Sequence, residues 1–532
     1  MQHRHPGADP IDPITVSVIQ SSLIAAADEM FAVLNKTAMS PIIYEVLDVG
    51  TGITDAQGEL VSSGAGIPTF VGVLDKAVKR IIELHGPENI RDGDCFVTND
   101  PYYGGVTHLN DVVIALPVFA QGELVAWTAS IAHWNDIGGK TPGSMAVDVT
   151  EIFQEGLRLP AVRLFEKGEL LRSVFDIITA NSRLPDFVQG DLWAQVAASR
   201  KAETRIRQLV ESYGADAYRA ALADLFEEGE RRGLAGLAEL PEGTYEIDET
   251  QDDGAVWHAA ITVSKERFIV DLTGNPRQRE APYNTSRDGA VISAQMIFKA
   301  LTDPTLFANS GSFRALEVRT EPGTIFHATG NAPHGYYFET RIRLYDMLWR
   351  CMAKALPERL PAGHFGSICG TVIAGIHPDT GRRFTMVEPQ MGGWGATAGR
   401  DGLDAMYSAS HGETFNCPVE ICETRYGIDV GFKRLRESGE GAGLHSGGKG
   451  LQTRYRLRAP ATLSAGYSRA KQPVWGSNGG GDGGVNGLTV TRPEGSTDRL
   501  TFASGVQLKP GDEILIETAN GGGWGADPRS RP

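Results

Sequence analysis

Two histidines 25 positions apart, His108 and His133, are each followed three residues later by an aspartate, Asp111 and Asp136. Both pairs lie in short segments, Thr107-His108-Leu109-Asn110-Asp111-Val112 and Ala132-His133-Trp134-Asn135-Asp136-Ile137-Gly138-Gly139. Two imidazoles and nearby carboxylates brought together from neighbouring loops can make a mixed nitrogen and oxygen site for a divalent ion that activates water. A lone histidine is more often a hydrogen-bonded structural residue, but two in matched contexts with acid partners point to a metal or catalytic role. Asp111 reads as a ligand. Asp136 reads as a residue that orients His133 from behind and fixes its tautomer, or accepts a proton. Asp48, in Tyr44-Glu45-Val46-Leu47-Asp48-Val49, lies in an apolar run where an unpaired acid is costly. The residues alone do not separate it from Glu45, nor from a strand-end carboxylate bonded to backbone.

The elements around these residues must set their positions. Strand-like runs at 112–119 and 124–131 flank the turn Ala120-Gln121-Gly122-Glu123, which predicts a hairpin whose open ends carry both histidines to one edge. Asp12 and Pro13 open a long helix with apolar residues at helical spacing, ending near Ser40-Pro41. Short strands are expected over 42–61 with a turn at 55–58, and a second helix over 71–85. A helical block covers 186–238, broken near Gly214. Strands resume over 244–272, helices follow at 289–299 and 340–356, and the chain beyond 430 is glycine-rich and β-like. The predicted architecture is α+β and multi-domain, with mixed helices and largely antiparallel sheets. Its expected units are an N-terminal metal-binding domain over 12–238, a central domain over 244–430 and a glycine-rich β region over 431–532.

Composition narrows the function classes. The 532-residue chain has a formal net charge of −16 and no basic run, which argues against nucleic acid or anionic membrane surfaces as partners. Five scattered cysteines, Cys95, Cys351, Cys369, Cys417 and Cys422, read as buried thiols in a reducing compartment, with Cys422 in a strand-like run. Residues 1–10 lack the apolar stretch of a signal peptide, and no segment reads as a bilayer span, so a cytoplasmic protein is expected. The glycine tracts match neither a nucleotide-binding P-loop nor a dinucleotide fold, and read as tight turns. Residues 478–487 also have the composition of a mobile loop over a site. Trp394 and Trp524, each between glycines, read as packing anchors beside close backbone approaches.

Longer stretches carry a family resemblance. They are Asn99-Asp100-Pro101-Tyr102 leading to His108-Leu109-Asn110-Asp111, the Ala132 to Gly139 segment, Pro142-Gly143-Ser144-Met145, and Glu151-Ile152-Phe153-Gln154-Glu155-Gly156-Leu157-Arg158-Leu159-Pro160. Glu437-Ser438-Gly439 through Gly447-Gly448-Lys449-Gly450 resembles a C-terminal signature of the same group. Together they resemble the hydantoinase B/oxoprolinase family, which includes subunits of N-methylhydantoinases, caprolactamases and ketone carboxylases and the C-terminal half of 5-oxoprolinases. The resemblance implies a metal site at Asp48, His108, Asp111 and His133, and prefers Asp48 over Glu45. It implies zinc, manganese or iron as the ion, an ATP-binding hydantoinase A-type partner that phosphorylates the substrate's carbonyl oxygen, and a hetero-oligomer. The function it implies is hydrolysis of a hydantoin, lactam or oxoproline-like ring, water activated by the metal attacking the carbon whose oxygen is phosphorylated, with His133 and Asp136 as catalytic residues. A ketone carboxylase subunit and a non-catalytic scaffold with a structural metal are the alternatives. The chain departs from the family's Ile-Pro-Val-His-Leu-Gly stretch, with Phe70 at or beside the histidine position in Ile67-Pro68-Thr69-Phe70-Val71-Gly72.

Overall fold

The structure, a computed structural model, describes residues 12–102, 105–412 and 414–528. Asp12 caps helix α1 (Pro13–Thr37), its carboxylate accepting from the Ile14 and Thr15 amides, with Pro13 in the first turn. Ile19, Leu23, Ala26, Met30 and Leu34 make its buried stripe, each large one contributing about 1.5–3 kcal/mol of burial. The expected strands at 42–61 begin later, because Pro41 starts the one-turn helix α2 (Pro41–Tyr44). The hairpin of β1 (Val49–Asp55) and β2 (Leu60–Gly66) follows, then α3 (Pro68–His85).

Strands β3 (Cys95–Thr98), β4 (Asp111–Ala120), β5 (Glu123–His133), β6 (Val162–Glu166) and β7 (Glu169–Leu170) complete an antiparallel seven-stranded sheet, ordered β2-β1-β5-β4-β3-β6-β7. The β4–β5 turn holds Gln121 and Gly122 both at positive φ, the geometry that a right-twisted two-residue hairpin requires. Both strands are buried on two sides. Val112, Ile114 and Leu116 join the core under α1, while Val113 and Ala115 face the α3 side. Helices α4 (Arg172–Ala180), α5 (Pro185–Tyr213) and α6 (Ala215–Ala238) follow, and α5 packs on β4, β5 and α1.

A second sheet, ordered β11-β10-β9-β8, comprises β8 (Gly243–Thr250), β9 (Val256–Val263), β10 (Phe268–Asp271) and β11 (Leu316–Arg319), the last pair parallel. It carries α7 (Arg287–Thr302) and α8 (Tyr337–Ala353). Helix α8 is buried from Tyr337 through Leu348, an all-round burial that marks a helix between layers. Its Tyr337, Phe338 and Ile342 belong to the first core and its Leu344, Met347 and Leu348 to the second. The third sheet, β13-β12-β16-β19, joins β12 (Thr371–Ile376) and β13 (Arg383–Glu388) to strands from beyond residue 430. After α9 (Val419–Tyr426) come β14 (Ile428–Leu435), β15 (Leu451–Leu457), β16 (Ala461–Gly466), β17 (Gly487–Thr491), β18 (Thr497–Leu500), β19 (Phe502–Leu508) and β20 (Glu513–Glu517). The fourth sheet is β14-β15-β20-β17-β18. The architecture is thus mixed helices and largely antiparallel sheets in a multi-domain α+β chain.

Three expectations are corrected. Cys422 lies in α9, not in a strand, although all five thiols are free and buried. Helix α1 is long and apolar enough to cross a bilayer by composition, with a window of mean hydropathy 1.4, yet here it packs on α5 and β2. The glycine tracts do more than turn: a Cβ on Gly521 would stand 2.0 Å from the Trp394 carbonyl, and one on Gly447 1.9 Å from that of Gly521. Residues 478–487 are pinned to distant chain segments, Gly481 donating to Ala442 and Gly484 to Asn520. Trp394 and Trp524 anchor this knot by donating to the Tyr407 and Pro357 carbonyls. The expectation for residues 1–10 falls outside the described residues.

Candidate metal centre

Asp111 is the first residue of β4 and His133 the last of β5, and the hairpin register sets them directly opposite each other. The His133 Nδ1 to Asp111 Oδ1 distance is 3.2 Å. His108 closes a tight turn before β4, with the Asp111 amide donating to its carbonyl at 3.1 Å. Its Nε2 lies 3.1 Å from the same Asp111 Oδ1. Asp48 arrives from the other side, just ahead of β1, where the His133 amide donates to its carbonyl. Leu47 before it holds a positive φ of 63°, a backbone that a branched residue adopts only when its surroundings enforce it. Asp48 Oδ2 is 3.8 Å from His133 Nδ1. Glu45 sits at the end of α2, outside the cavity lining, so Asp48 is the acid that reaches the cluster.

The donor set fits a cation. His108 Nδ1 is 2.9 Å from the Gly335 carbonyl, which only accepts, so Nδ1 carries the proton. In the neutral ring, Nε2 is then a lone pair aimed at a carboxylate oxygen. Two acceptors at that distance need positive charge, either a proton on Nε2 or a metal ion. Burial acts against charge on His108, but the Asp111 carboxylate outweighs it and raises the imidazole above its usual range. Burial likewise opposes ionisation of Asp111, and His108 and His133 overcome it and hold that carboxyl well below its ordinary value. Asp48 goes the other way, pushed up by burial and by Asp111, and its Oδ1 has no partner. Burial pulls His133 down, and its Nε2 is also unpartnered. One ligand atom from each of His108, Asp111 and His133 falls within 4.8 Å of the others.

Neighbouring groups hold this geometry. Asp111 Oδ2 accepts from Thr107 Oγ1 at 2.5 Å and from the Tyr337 hydroxyl at 3.2 Å, which turns Oδ1 toward the histidines. Glu155 accepts from the amides of His334 and Gly335 at 2.9 and 2.5 Å, fixing the carbonyl that His108 meets. Burial pushes Glu155 up to about 7. A cavity of about 30 Å³ opens on the cluster, walled by Asp48, Phe70, His108, Asp111, His133 and His411, with Tyr337 and Phe338. Phe70 therefore does shape the wall.

Asp136 takes a different place from the one expected. Its two oxygens accept from the amides of Gly138, Gly143 and Arg183 and from the Arg183 guanidinium, so it staples the loop after β5 rather than touching the His133 ring. His411, Tyr337, Arg341 and Glu155 were not singled out from sequence. Glu155 lies in a family-like stretch, and the proximity of the others is created by α8 and the 408–412 turn.

A profile of the hydantoinase B/oxoprolinase family matches residues 12–527. An uncharacterised protein of Methanocaldococcus jannaschii is 33% identical over 97% of this chain and 91% of its own length. The caprolactamase subunit beta of Pseudomonas jessenii is 29% identical over 98% of this chain and 92% of its own. The crystal structure of the ATP-dependent caprolactamase from that organism superposes with a TM-score of 0.90 at 26% identity, covering 98% of this chain and 93% of the other. An acetone carboxylase structure, in its nucleotide-free form, shares the fold with a TM-score of 0.85 at 20% identity, covering 98% and 77%. The chain belongs to the hydantoinase B/oxoprolinase family.

Proposed function

We propose that this chain is the metal-bearing subunit of an ATP-dependent cyclic-amide hydrolase acting on a hydantoin, lactam or oxoproline-like ring. The observation that carries this reading is the convergence of His108, Asp111, His133 and Asp48 on one buried cavity with two orphaned ligand atoms. Membership in a family with a caprolactamase beta subunit supports the reaction class and the need for a partner. That partner is an ATP-binding hydantoinase A-type subunit, and the two form a hetero-oligomer.

Amide resonance makes a ring carbonyl a poor electrophile, and phosphorylation of its oxygen by the partner removes that resonance. Water then adds at the carbon, the ring C–N bond breaks as the nitrogen takes a proton, and the acyl phosphate that remains is hydrolysed to carboxylate and phosphate. Zinc, manganese or iron would suit the mixed donors, and a bound divalent ion supplies Lewis-acid activation of water. The chain's own residues prepare that chemistry. His108, with its Nδ1 proton committed to the Gly335 carbonyl, presents only Nε2 inward. Thr107 and Tyr337 hold Asp111 so that one oxygen serves both imidazoles. His133, with Nδ1 on Asp111, keeps Nε2 unpartnered as its atom for the ion. Phe70, Phe338 and Ile368 exclude bulk water from the reacting centre.

The test is copurification with the ATP-binding partner, followed by a screen of cyclic amides against ketones with bicarbonate. ATP-dependent ring opening that is lost together with the metal in His108→Ala is the expected result. Unchanged metal content and turnover in that variant would overturn the reading. Bicarbonate-dependent ketone consumption would make the chain a carboxylase subunit, and full turnover after metal depletion would make it a scaffold.

A further inference from the structure

Arg341 lies one turn beyond Tyr337 on α8 and is fully buried, yet none of its three guanidinium nitrogens has a hydrogen-bond partner. A guanidinium cannot shed its proton, so a buried one without an acceptor is a charge left without compensation. Among the described residues, the other two buried arginines are not in this position. Arg343 and Arg469 both pair with Glu249 and Asp346.

The acids whose charge reaches Arg341 are Asp111 and Glu339, and both are already committed. Asp111 serves two imidazoles and two hydroxyls. Glu339 accepts from Ser367 Oγ, the Ile368 amide, and the amide and hydroxyl of Ser468. What remains for Arg341 is Tyr337, whose ring centroid lies 5.7 Å away and whose hydroxyl, near the guanidinium, is committed as a donor to Asp111. A second orphan stands beside it. His411 lines the metal cavity at 6% exposure, and neither of its ring nitrogens has a partner. Burial, with the Arg341 charge added, drives this imidazole down to about 3, so it is neutral and offers one N–H.

We infer that His411, on the wall of the metal cavity, and Arg341, against the Tyr337 ring that also lines it, form an oxyanion subsite that takes the phosphoryl group of the activated substrate. Two donor groups without acceptors, adjacent to a water-activating centre, are complementary to a group rich in acceptors and negative charge. A phosphate presents several such oxygens, and the planar fork of arginine engages two at once. The identity of the phosphoryl carrier rests on the proposed hydrolase function; the affinity for an oxyanion does not.

The experiment titrates inorganic phosphate into the full-length, metal-free chain, read by calorimetry and by 31P line width. Saturable binding is expected, weakened at least about tenfold in Arg341→Met and less in Arg341→Lys. His411→Phe should weaken it as well. Without phosphate, Arg341→Met should melt at a higher temperature than the parent, because an uncompensated charge gives way to apolar volume. A merely structural arginine would instead lower the melting temperature. Absence of saturable binding by the parent chain would overturn the subsite, as would equal binding by Arg341→Met or bicarbonate binding as tightly as phosphate. Phosphate binding without cyclic-amide activity in the complex would leave the subsite standing and sink the hydrolase. Ring opening without phosphate binding would do the reverse.

Discussion

Asp111 and His133 are direct cross-strand partners at the open end of the β4–β5 hairpin, and their side chains meet at 3.2 Å. The ladder behind them is buried along almost its whole length, so this pair is held by the sheet and not by loops. Replacing Asp111 with Asn keeps the shape but removes the negative charge between the imidazoles. Metal affinity should fall by more than the 10- to 100-fold, or about 1–3 kcal/mol, that outer partners of a ligand usually contribute. Metal analysis after dialysis, with melting temperature as a control for folding, checks this.

Glu155 acts on the cluster through Gly335. Glu155→Gln can accept from only one of the His334 and Gly335 amides, and its NH2 group opposes the other. The carbonyl that orients His108 then shifts. Metal affinity should drop by about 10- to 100-fold while the His108, Asp111 and His133 side chains all remain. Competition with a chromophoric chelator measures the loss.

Asp136 separates two readings of the same motif. As the staple of the loop after β5, its replacement by Ala should cost stability, about 2–4 kcal/mol for buried donors left without an acceptor. Metal stoichiometry should be unchanged. Denaturant unfolding beside metal analysis decides the matter, and loss of metal with stability intact would restore the role in orienting His133.

Asp191 on α5 gives a pH signature of its own, outside the candidate metal cluster. It accepts from the Met39 and Ser40 amides and from Ser40 Oγ, tying the end of α1 to α5. Burial, partly offset by these bonds, pushes its carboxyl up to about 6. The folded state therefore holds the proton more tightly than the unfolded chain. Its contribution to stability is complete below about pH 4 and is lost as pH rises through about 6, on the order of 3 kcal/mol between the limits. Asp191→Asn cannot ionise, so the difference in stability between the two proteins should change across that window in favour of the variant. Urea unfolding at pH 4, 5, 6 and 7 tests the sign.

Local chemistry along the chain was enough to determine the hairpin, its turn at Gln121-Gly122, the capped helix at Asp12 and the pairing of His108 with Asp111. Each depends on neighbours within a few residues, and hydrophobic pattern and turn residues report such neighbours directly. The same local cues misplaced the start of β1, because Pro41 nucleates a turn of helix that no alternation pattern reveals. They also could not tell that Asp136 faces Arg183 and the loop amides instead of His133. The residues themselves left Asp48 and Glu45 unseparated, the family resemblance preferred Asp48, and the cavity lining includes Asp48 alone of the two. Only the tertiary structure decided that His411 and Tyr337 line that cavity, with Arg341 against the Tyr337 ring. Those residues lie more than 200 positions from His108 along the chain. Their approach is set by the burial of α8 between two cores, a long-range packing result that leaves no spacing signal in the residues themselves.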